Sequence, residues 1–322
     1  MAPQMSTALI GAAYLDIVAY GEPMVEFNQT GEHQGRAYLQ GFGGDSSNFA
    51  IAAARQGARV GYLSAVGDDP YGHMLRELWH REGVCQRGVV TDAAAYTAHY
   101  FVTHGESGHQ FQFFRAGSAA SRVRPADFAA GAIEQAKLFH LSGISLAISA
   151  QACDTGFALI ERARAAKVTV SFDTNLRLRL WPIARARAVM TEALRLCDIA
   201  LPSYDDVVAL TGMTDADALV DHCLNLGART VALKLGDQGA LVATAHQRHR
   251  IPAHPCRPVD ATGAGDTFGG AFAARWVAGD TLADAARYAA VAAALSTEGY
   301  GAVEPIPRAG RVSAEMSRNE AC

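Results

Sequence analysis

The chain has 322 residues, half of them hydrophobic and 19% charged, which is the composition of an ordinary globular protein with a large core. Its formal net charge of −4, from 28 basic and 32 acidic residues, provides no overall field that would favour nucleic acid or an anionic membrane as a partner. The six scattered cysteines form no Cys-x-x-Cys pair and no apolar run approaches the ~20 residues that span a bilayer, so we expect no zinc site, no membrane segment and no signal peptide, and a cytoplasmic location with reduced thiols.

The first third of the chain predicts short strands and then alternating strands and helices. After a loose tail at 1–7, strands are expected at 16–22, 24–27, about 37–40 and 59–66, and helices at 50–56 and 71–82. Asp45 or Ser46 is the expected N-cap of the first helix. Residues 100–102 and 110–114 alternate like a hairpin with its turn at 105–108. Because neither half lies in a βα repeat, we expect this hairpin to project from the main sheet together with the early strands.

From residue 128 the alternation of helices and strands resumes. Helices are predicted at 128–135, 150–166, 184–196, 205–211, 215–226, from about 263 to 277, and at 282–296. Strands are predicted at 137–141, 168–173, 198–201, 230–235, 240–243 and 248–251, and a frayed tail at 310–322. This order is typical of a mostly parallel sheet that is covered on both faces and binds ligands at the carboxyl ends of its strands.

The run Asp260-Ala-Thr-Gly-Ala-Gly-Asp-Thr-Phe268 is the strongest signal for chemistry. Gly263, Ala264 and Gly265 form a turn of small residues at a helix start, where backbone N–H groups and the helix dipole attract an anion. Asp266 would repel that anion if binding were the only purpose, but it could accept a proton from a nucleophile that attacks the bound group. The alternative is an ordinary helix cap. The spacing fits neither the dinucleotide fingerprint nor a Walker-type loop, so the first hypothesis is phosphoryl transfer with Asp266 as base.

Three further stretches follow predicted strands and could contribute to the same site. Lys234-Leu-Gly-Asp-Gln-Gly239 could flank a nucleotide or could be an ordinary β-turn. Arg177 in Asp173-Thr-Asn-Leu-Arg177 suits a phosphate or a carboxylate, although exposed arginines are usually only solvated. Arg115 ends the hairpin beside a turn of small residues, and it could also be a plain surface residue.

With these motifs, nearly the whole chain resembles the ribokinase-type (PfkB) sugar kinases. Gly43-Gly44-Asp45-Ser-Ser-Asn48, the segment 63–72 and Lys234-x-Gly-x-x-Gly239 match as well. Within that family, the stretches 21–27, 114–121 and 173–181 resemble 2-keto-3-deoxygluconate kinases. The resemblance implies one α/β, ribokinase-like domain over 1–322, with a mostly parallel central sheet flanked by helices. It also implies a small projecting β-sheet lid, from about 16–41 and 96–116, through which the chain would form a homodimer.

The resemblance also implies roles for individual residues. Asp266 would be the catalytic base, with the amides of Gly263, Ala264 and Gly265 as its anion hole. Substrate would be bound by Asp266 and by Gly43, Gly44, Asp45, Asn48, Tyr100, Phe113, Arg115 and Arg177. ATP would be bound by Asn175, Arg177, Lys234, Gly236, Gly239, Gly263 and Gly265. Ser203 and Asp206 would hold Mg²⁺ through water molecules, and a monovalent cation such as K⁺ is a further expected cofactor.

Three departures from the family pattern bear on substrate and metal. Phe113 replaces a common tyrosine, the metal-linked Asn-x-x-Glu segment reads Ser203-Tyr-Asp-Asp206, and residues 300–302 lack an acidic group that some relatives use on the sugar. We predict an ATP- and Mg²⁺-dependent kinase that phosphorylates a primary hydroxyl of a sugar acid, converting 2-keto-3-deoxygluconate to its 6-phosphate. The alternatives are a neutral-sugar kinase of the fructokinase or ribokinase type, and a non-catalytic regulator that binds sugar or nucleotide.

Overall fold

Two β-sheets organise the chain in the computed structural model, which describes residues 15–105 and 108–320. The strands are β1 (Ile17–Tyr20), β2 (Met24–Gln29), β3 (Tyr38–Gly43), β4 (Val60–Gly67), β5 (Cys85–Asp92), β6 (His99–Gly105), β7 (Gly108–Phe114), β8 (Leu138–Ser142), β9 (Thr169–Asp173), β10 (Ile199–Ala200), β11 (Thr230–Lys234), β12 (Ala240–Ala243) and β13 (Arg248–Ile251). The helices are α1 (Asp45–Arg55), α2 (Pro70–Arg81), α3 (Gly143–Ala147), α4 (Ala150–Ala165), α5 (Ile183–Leu196), α6 (Tyr204–Thr211), α7 (Ala216–Leu226), α8 (Ala264–Ala278), α9 (Leu282–Ser296) and α10 (Ala309–Glu320).

The large sheet has nine strands in the order β13-β12-β11-β10-β9-β8-β1-β4-β5. All neighbouring pairs are parallel except β11–β12 and β12–β13. Ile17 and Ala19 of β1 face one hydrophobic core, with α1, α2, α8 and α9, whereas Val18 and Tyr20 face a second core, with α4, α5, α6 and α7. The predicted α/β architecture, a mostly parallel sheet covered by helices on both faces, is confirmed.

The second sheet, called the lid sheet below, has four strands in the order β3-β2-β6-β7. β2 runs parallel to β6, and the other two pairs are antiparallel. The hairpin of β6 and β7 therefore lies in a small separate sheet, as expected. The predicted lid boundary at residue 16 is wrong, because β1 lies in the middle of the large sheet and the lid sheet begins at Met24.

Helix α1 begins five residues earlier than predicted, and neither Asp45 nor Ser46 is its N-cap. The N-cap is Gly44, with φ of +97° and no side-chain capping bond. A Cβ atom at this position would collide with the carbonyl oxygen of Glu22. Glycine thus lets the chain turn tightly out of β3, so that Asp45 and Asn48 lie within the first turn of the helix instead of before it.

Two other predicted elements are wrong, because the local sequence favours one structure and the burial of its apolar side chains requires another. The predicted helix at 128–135 is a series of turns, in which the buried Phe128 and Ile133 are five residues apart and would not share one helical face. The predicted tail is helix α10, anchored by the fully buried Val312 against α9. The edge strand β5 and the short α3 were not predicted. Residues 1–7 and the hairpin tip at 106–107 lie outside the described residues.

No helix in the described part of the chain is both long and apolar enough to cross a membrane.

Candidate active site

The carboxyl ends of β9 and β11 meet the first turns of α1 and α8 at one edge of the large sheet. Asp173 is the last residue of β9, and Lys234 is the last residue of β11. Asn48 of α1 and Asp266 of α8 complete this cluster through a hydrogen bond from Asn48 Nδ2 to Asp266 Oδ2 of 2.9 Å. Parallel strands bring such residues together because all their carboxyl ends lie at the same edge.

Asp266 lies within the first turn of α8 and does not cap it. The N-cap is Gly263, with φ of +75° and no side-chain capping bond. Glycine is needed here because of this positive φ, and also because a Cβ atom at Gly263 would lie only 3.0 Å from the carbonyl oxygen of Ala302. Asp260 accepts hydrogen bonds from Thr262 and from the backbone N–H of Gly301, and thereby fixes the loop before the helix. The cap interpretation of Asp266 is therefore excluded.

The carboxyl group of Asp266 has a strongly raised pKa, although the residue as a whole is only partly buried. Burial among protein atoms and the negative charge of Asp45 raise its pKa to about 8, and Asp173 adds to the effect. The hydrogen bond from Asn48 and the charge of Lys234 act in the opposite direction. A carboxylate with a pKa near neutrality can accept a proton far more readily than an ordinary surface aspartate.

Lys234 forms a buried ion pair with Asp173, and the two side chains are 11% and 5% exposed. A Cβ atom at Gly265 would lie 3.5 Å from Lys234 Nζ, which places the ammonium group close to the start of α8. Burial raises the pKa of Asp173, and Lys234 opposes that shift. The lysine thus contributes positive charge beside the predicted anion hole.

Asn175 links this cluster to α1. Its backbone has φ of +33°, and its side chain donates a hydrogen bond of 3.0 Å to Asp45 Oδ2. Its own N–H donates to Asp173 Oδ1 at 3.2 Å. The predicted nucleotide residue Asn175 and the predicted substrate residue Asp45 are therefore in direct contact.

Arg177 and the predicted metal residues Ser203 and Asp206 form contacts with neighbouring parts of the chain. Arg177 is exposed and donates to the neighbouring carbonyl oxygen of Leu176 at 2.8 Å. Asp206 Oδ2 accepts hydrogen bonds from Thr174 Oγ1 (2.9 Å) and from the N–H of Leu176 (3.0 Å). Ser203 pairs with Lys234 through an isolated backbone bridge. Ser203 and Asp206 thus support the loop after β9, and the described residues contain no group of three or more metal-binding side chains.

The lid sheet places aromatic and charged groups next to this cluster, since Tyr100 lies within electrostatic reach of Asp266. We call the space between them the cleft. Tyr100 donates a hydrogen bond of 2.5 Å to Glu26 Oε2, and its ring lies 5.3 Å from that of Phe113. A Cβ atom at Gly43 would lie 2.7 Å from the Tyr100 hydroxyl, so glycine makes room for this ring. Arg115 forms an ion pair with the buried Glu22 and lies 5.7 Å above the Phe113 ring.

Glu22 and Glu26 were not predicted as site residues. Both belong to the conspicuous stretch 21–27, and both are buried, with 1% and 6% exposure. Burial raises the pKa of each carboxyl group. The available sequence signal was the presence of two acidic residues within stretches that are otherwise apolar and were predicted as strands.

Comparison with known proteins identifies the family. The family model described as "pfkB family carbohydrate kinase" matches residues 9–309. The chain belongs to the PfkB family. It is 33% identical over 305 residues to a 2-dehydro-3-deoxygluconokinase from Thermoproteus tenax, covering 92% of both chains. It is also 33% identical over 310 residues to fructokinase-2 from Solanum habrochaites, covering 91% of this chain and 93% of that protein.

A solved structure shows the same PfkB fold. The crystal structure of a fructokinase with bound ATP from Xylella fastidiosa is similar with a TM-score of 0.89 and 25% identity, covering 96% of this chain and 100% of that one. The ribokinase-like fold and the assignment as a PfkB carbohydrate kinase, which transfers a phosphoryl group to an alcohol, are confirmed. The relatives include both fructokinases and a 2-dehydro-3-deoxygluconokinase, so family membership alone leaves the sugar open.

Within this PfkB kinase, the predicted site residues fall into two sets. One set comprises two groups of neighbouring residues: Gly44, Asp45, Asn48, Asn175, Lys234, Gly263, Ala264, Gly265 and Asp266 at the sheet edge, and Gly43, Tyr100, Phe113 and Arg115 at the lid. The other set lies at its margin: Arg177 is exposed, and Gly236 and Gly239 form the turn between β11 and β12.

Proposed function

We propose that this PfkB kinase transfers the γ-phosphoryl group of ATP to a primary hydroxyl of a sugar acid, with 2-keto-3-deoxygluconate as the first candidate. The observation that supports this proposal most directly is the position of Asp266. It accepts a hydrogen bond from Asn48 and lies in the first turn of α8, whose N-cap makes no side-chain capping bond. Asp266 accepts the hydroxyl proton while the sugar oxygen forms its bond to the γ-phosphorus and the bond to ADP breaks. The amides of Gly263 and Gly265 and the nearby Lys234 stabilise the negative charge that develops on the transferred group. The N–H of Ala264, the third amide of the predicted anion hole, instead donates to the carbonyl oxygen of Ala261 at 3.1 Å.

Mg²⁺ would be bound chiefly by the phosphates of ATP, with few protein ligands. That mode suits the residues present, because Asp206 already uses Oδ2 for Thr174 and Leu176 and has only Oδ1 left for a metal-bound water. When bound, the metal ion would neutralise phosphate charge. A K⁺-like monovalent cation, ATP binding by Asn175, Arg177, Gly236 and Gly239, and a cytoplasmic location belong to the same proposal.

The sugar-acid assignment is supported by Arg115 at the lid. Its guanidinium group lies over the ring of Phe113, which in turn packs beside the ring of Tyr100. A guanidinium group suits a carboxylate because it offers two parallel N–H donors. A neutral ketose is the second candidate: Glu22 already pairs with Arg115, and the fructokinase relative is equally identical to this chain. A coupled ADP-release assay with the purified chain, over neutral sugars and keto-sugar acids, tests both candidates. Turnover confined to neutral sugars would contradict our first choice.

Replacing Arg115 by alanine is expected to raise KM for 2-keto-3-deoxygluconate by about tenfold or more, because a charge-assisted hydrogen bond of about 1.5–3 kcal/mol is lost. KM for fructose should rise by a smaller factor, since a hydroxyl does not form the bidentate pair that a carboxylate makes with a guanidinium. Steady-state kinetics with both sugars measures the difference. Arg122→Ala, which removes an exposed arginine paired with Asp92 just beyond this segment, is the matched control. Equal KM changes for the two sugars would contradict a carboxylate contact.

The pH dependence of kcat/KM should report the carboxyl group of Asp266, whose pKa is raised to about 8. Only the deprotonated form accepts the hydroxyl proton, so kcat/KM should rise about tenfold per pH unit below the pKa and level off above it. Initial rates between pH 6 and 9.5, at constant ionic strength and saturating ATP, give this profile. A profile that is flat across pH 7 to 9 would speak against Asp266 as the base.

Dimerisation through the lid sheet is a further part of the proposal. Several large apolar side chains of this sheet are exposed, which is unusual unless a partner covers them: Tyr38, Leu39, Phe111, Phe113 and Phe114. Light scattering after size-exclusion chromatography tests the oligomeric state, and Leu39→Lys should shift a dimer towards monomer.

A further inference from the structure

Glu22 and Arg115 lie at two of the four crossings between the large sheet and the lid sheet. Glu22 is in the loop between β1 and β2, and Arg115 directly follows β7. Arg115 Nη2 contacts Glu22 Oε2, and Ser118 Oγ donates a hydrogen bond of 2.9 Å to Glu22 Oε1. Both carboxylate oxygens of Glu22 are therefore directed at the segment that carries the arginine.

This ion pair is buried. The side chains of Glu22 and Arg115 are 1% and 13% exposed, and Ser118 is fully buried. Arg115 Nε is also buried and has no hydrogen-bond partner among the described residues. An unpaired buried donor is costly, so an oxygen atom of a bound sugar at this nitrogen would remove an existing penalty.

We propose that Glu22 sets the preference of this kinase between acidic and neutral sugars, by pairing with the arginine that a substrate carboxylate would otherwise engage alone. The inference rests on the proposed function, in which Arg115 contacts the sugar. With Glu22 in place, Arg115 offers hydrogen-bond donors but little net charge. A neutral hydroxyl uses those donors fully, whereas a carboxylate loses most of the Coulomb attraction of an uncompensated guanidinium.

The neighbouring cations do not take over this role. Lys234 is already paired with Asp173, and Arg177 is exposed and bonded to its own backbone neighbour. Acidic groups are also close, since Glu26 bonds to Tyr100 in the same lid and Asp45 lies within electrostatic reach of Glu22. Removing the negative charge of Glu22 should therefore affect an anionic sugar much more than a neutral one.

The test compares kcat/KM for 2-keto-3-deoxygluconate with kcat/KM for fructose in the wild type and in Glu22→Gln. Glutamine keeps the acceptor for Ser118 and replaces the charged oxygen that faces Arg115 by an uncharged NH2 group. We expect the ratio of acid to neutral sugar to rise at least about tenfold, mainly through KM. A ratio within twofold of the wild type, or a lower one, would overturn the proposal.

Glu26→Gln is the matched control, because it removes another buried lid carboxylate without touching Arg115. An equal change of the ratio in Glu26→Gln would show a general field effect and would also overturn the proposal. If Glu22→Gln does not fold, Glu22→Asp should give an intermediate rise, since the shorter side chain weakens the pair. No rise in Glu22→Asp would then count against the proposal.

The outcome separates this inference from the proposed function. A wild type that phosphorylates only fructose contradicts the sugar-acid assignment, while a gain of 2-keto-3-deoxygluconate turnover in Glu22→Gln would still support the role of Glu22. If neither sugar is turned over, thermal stabilisation of wild type and variant by each sugar provides the same ratio from binding. A larger gain in stabilisation by the acid in the variant supports the proposal, and an unchanged pattern overturns it.

Discussion

Asp266→Asn is expected to lower kcat by about 10³-fold, because loss of a positioned general base removes this order of rate enhancement. The amide has nearly the same shape and still reaches Asn48, so binding of ATP and sugar should be retained. Steady-state kinetics with the best sugar from the panel measures the loss, and isothermal calorimetry with ADP checks binding. A kcat within tenfold of the wild type would exclude Asp266 as the base.

The same variant should be more stable than the wild type at high pH. The pKa of Asp266 is about 8 in the folded chain, against 3.8 as its reference value. Between these two values the folded state holds a proton that the unfolded state has released, so wild-type stability falls as pH rises towards 8. Asparagine lacks this dependence. Thermal unfolding of both proteins at pH 6 and pH 9 should show the difference in Tm growing with pH.

Asp284→Asn is the matched control for both measurements. Asp284 lies in the first turn of α9, next to α8, where its carboxylate accepts hydrogen bonds from Thr281 Oγ1 and Arg287 Nη1 at the surface. The chemical change and the position in a helix are the same, but the residue is outside the cleft. An equal loss of kcat in Asp284→Asn would show that the effect of Asp266→Asn is structural.

The parts of this fold that the sequence predicted are those in which local pattern and burial agree. β4 is a mainly apolar run, β9 has valine and phenylalanine at alternate positions, and α9 is rich in alanine, so their type and place were evident. The turn at Gly263 was also predicted, because two glycines around Ala264 are more than an ordinary helix cap needs. The segment 128–135 was misread because its alanines favour a helix, while the buried Phe128 and Ile133 require a different backbone.

Contacts between distant segments could not be predicted in the same way. Asn48 and Asp266 are 218 residues apart, and nothing local in either segment shows that one donates to the other. Similarly, Arg115 was predicted to contact the sugar from the family resemblance of its motif, but its pairing with Glu22 depends on how two crossings between the sheets meet. The net charge that the cleft presents to a sugar depends on which side chains pair with one another in such contacts. This is why the chemistry could be predicted from one motif, whereas the sugar could not.

Lys234→Met is expected to lower the free energy of unfolding by about 3–5 kcal/mol, because it leaves Asp173 buried without its cation. Burial already raises the pKa of Asp173, so the variant can relieve part of this penalty by binding a proton. The destabilisation should therefore be smaller at pH 5 than at pH 8, since the proton is available only at the lower pH. Urea unfolding at both pH values measures the effect.

The double variant Lys234→Met/Asp173→Asn distinguishes the ion pair from the lysine side chain alone. Removing both charges should restore most of the lost stability, because no unpaired buried charge remains. Lys234 also lowers the pKa of Asp266, so the rise of kcat/KM in the single variant should move to a pH above that of the wild type. If the single and double variants are equally unstable, the charge of Asp173 is not the cause. An unmoved pH profile would show in addition that Lys234 does not act on the proposed base.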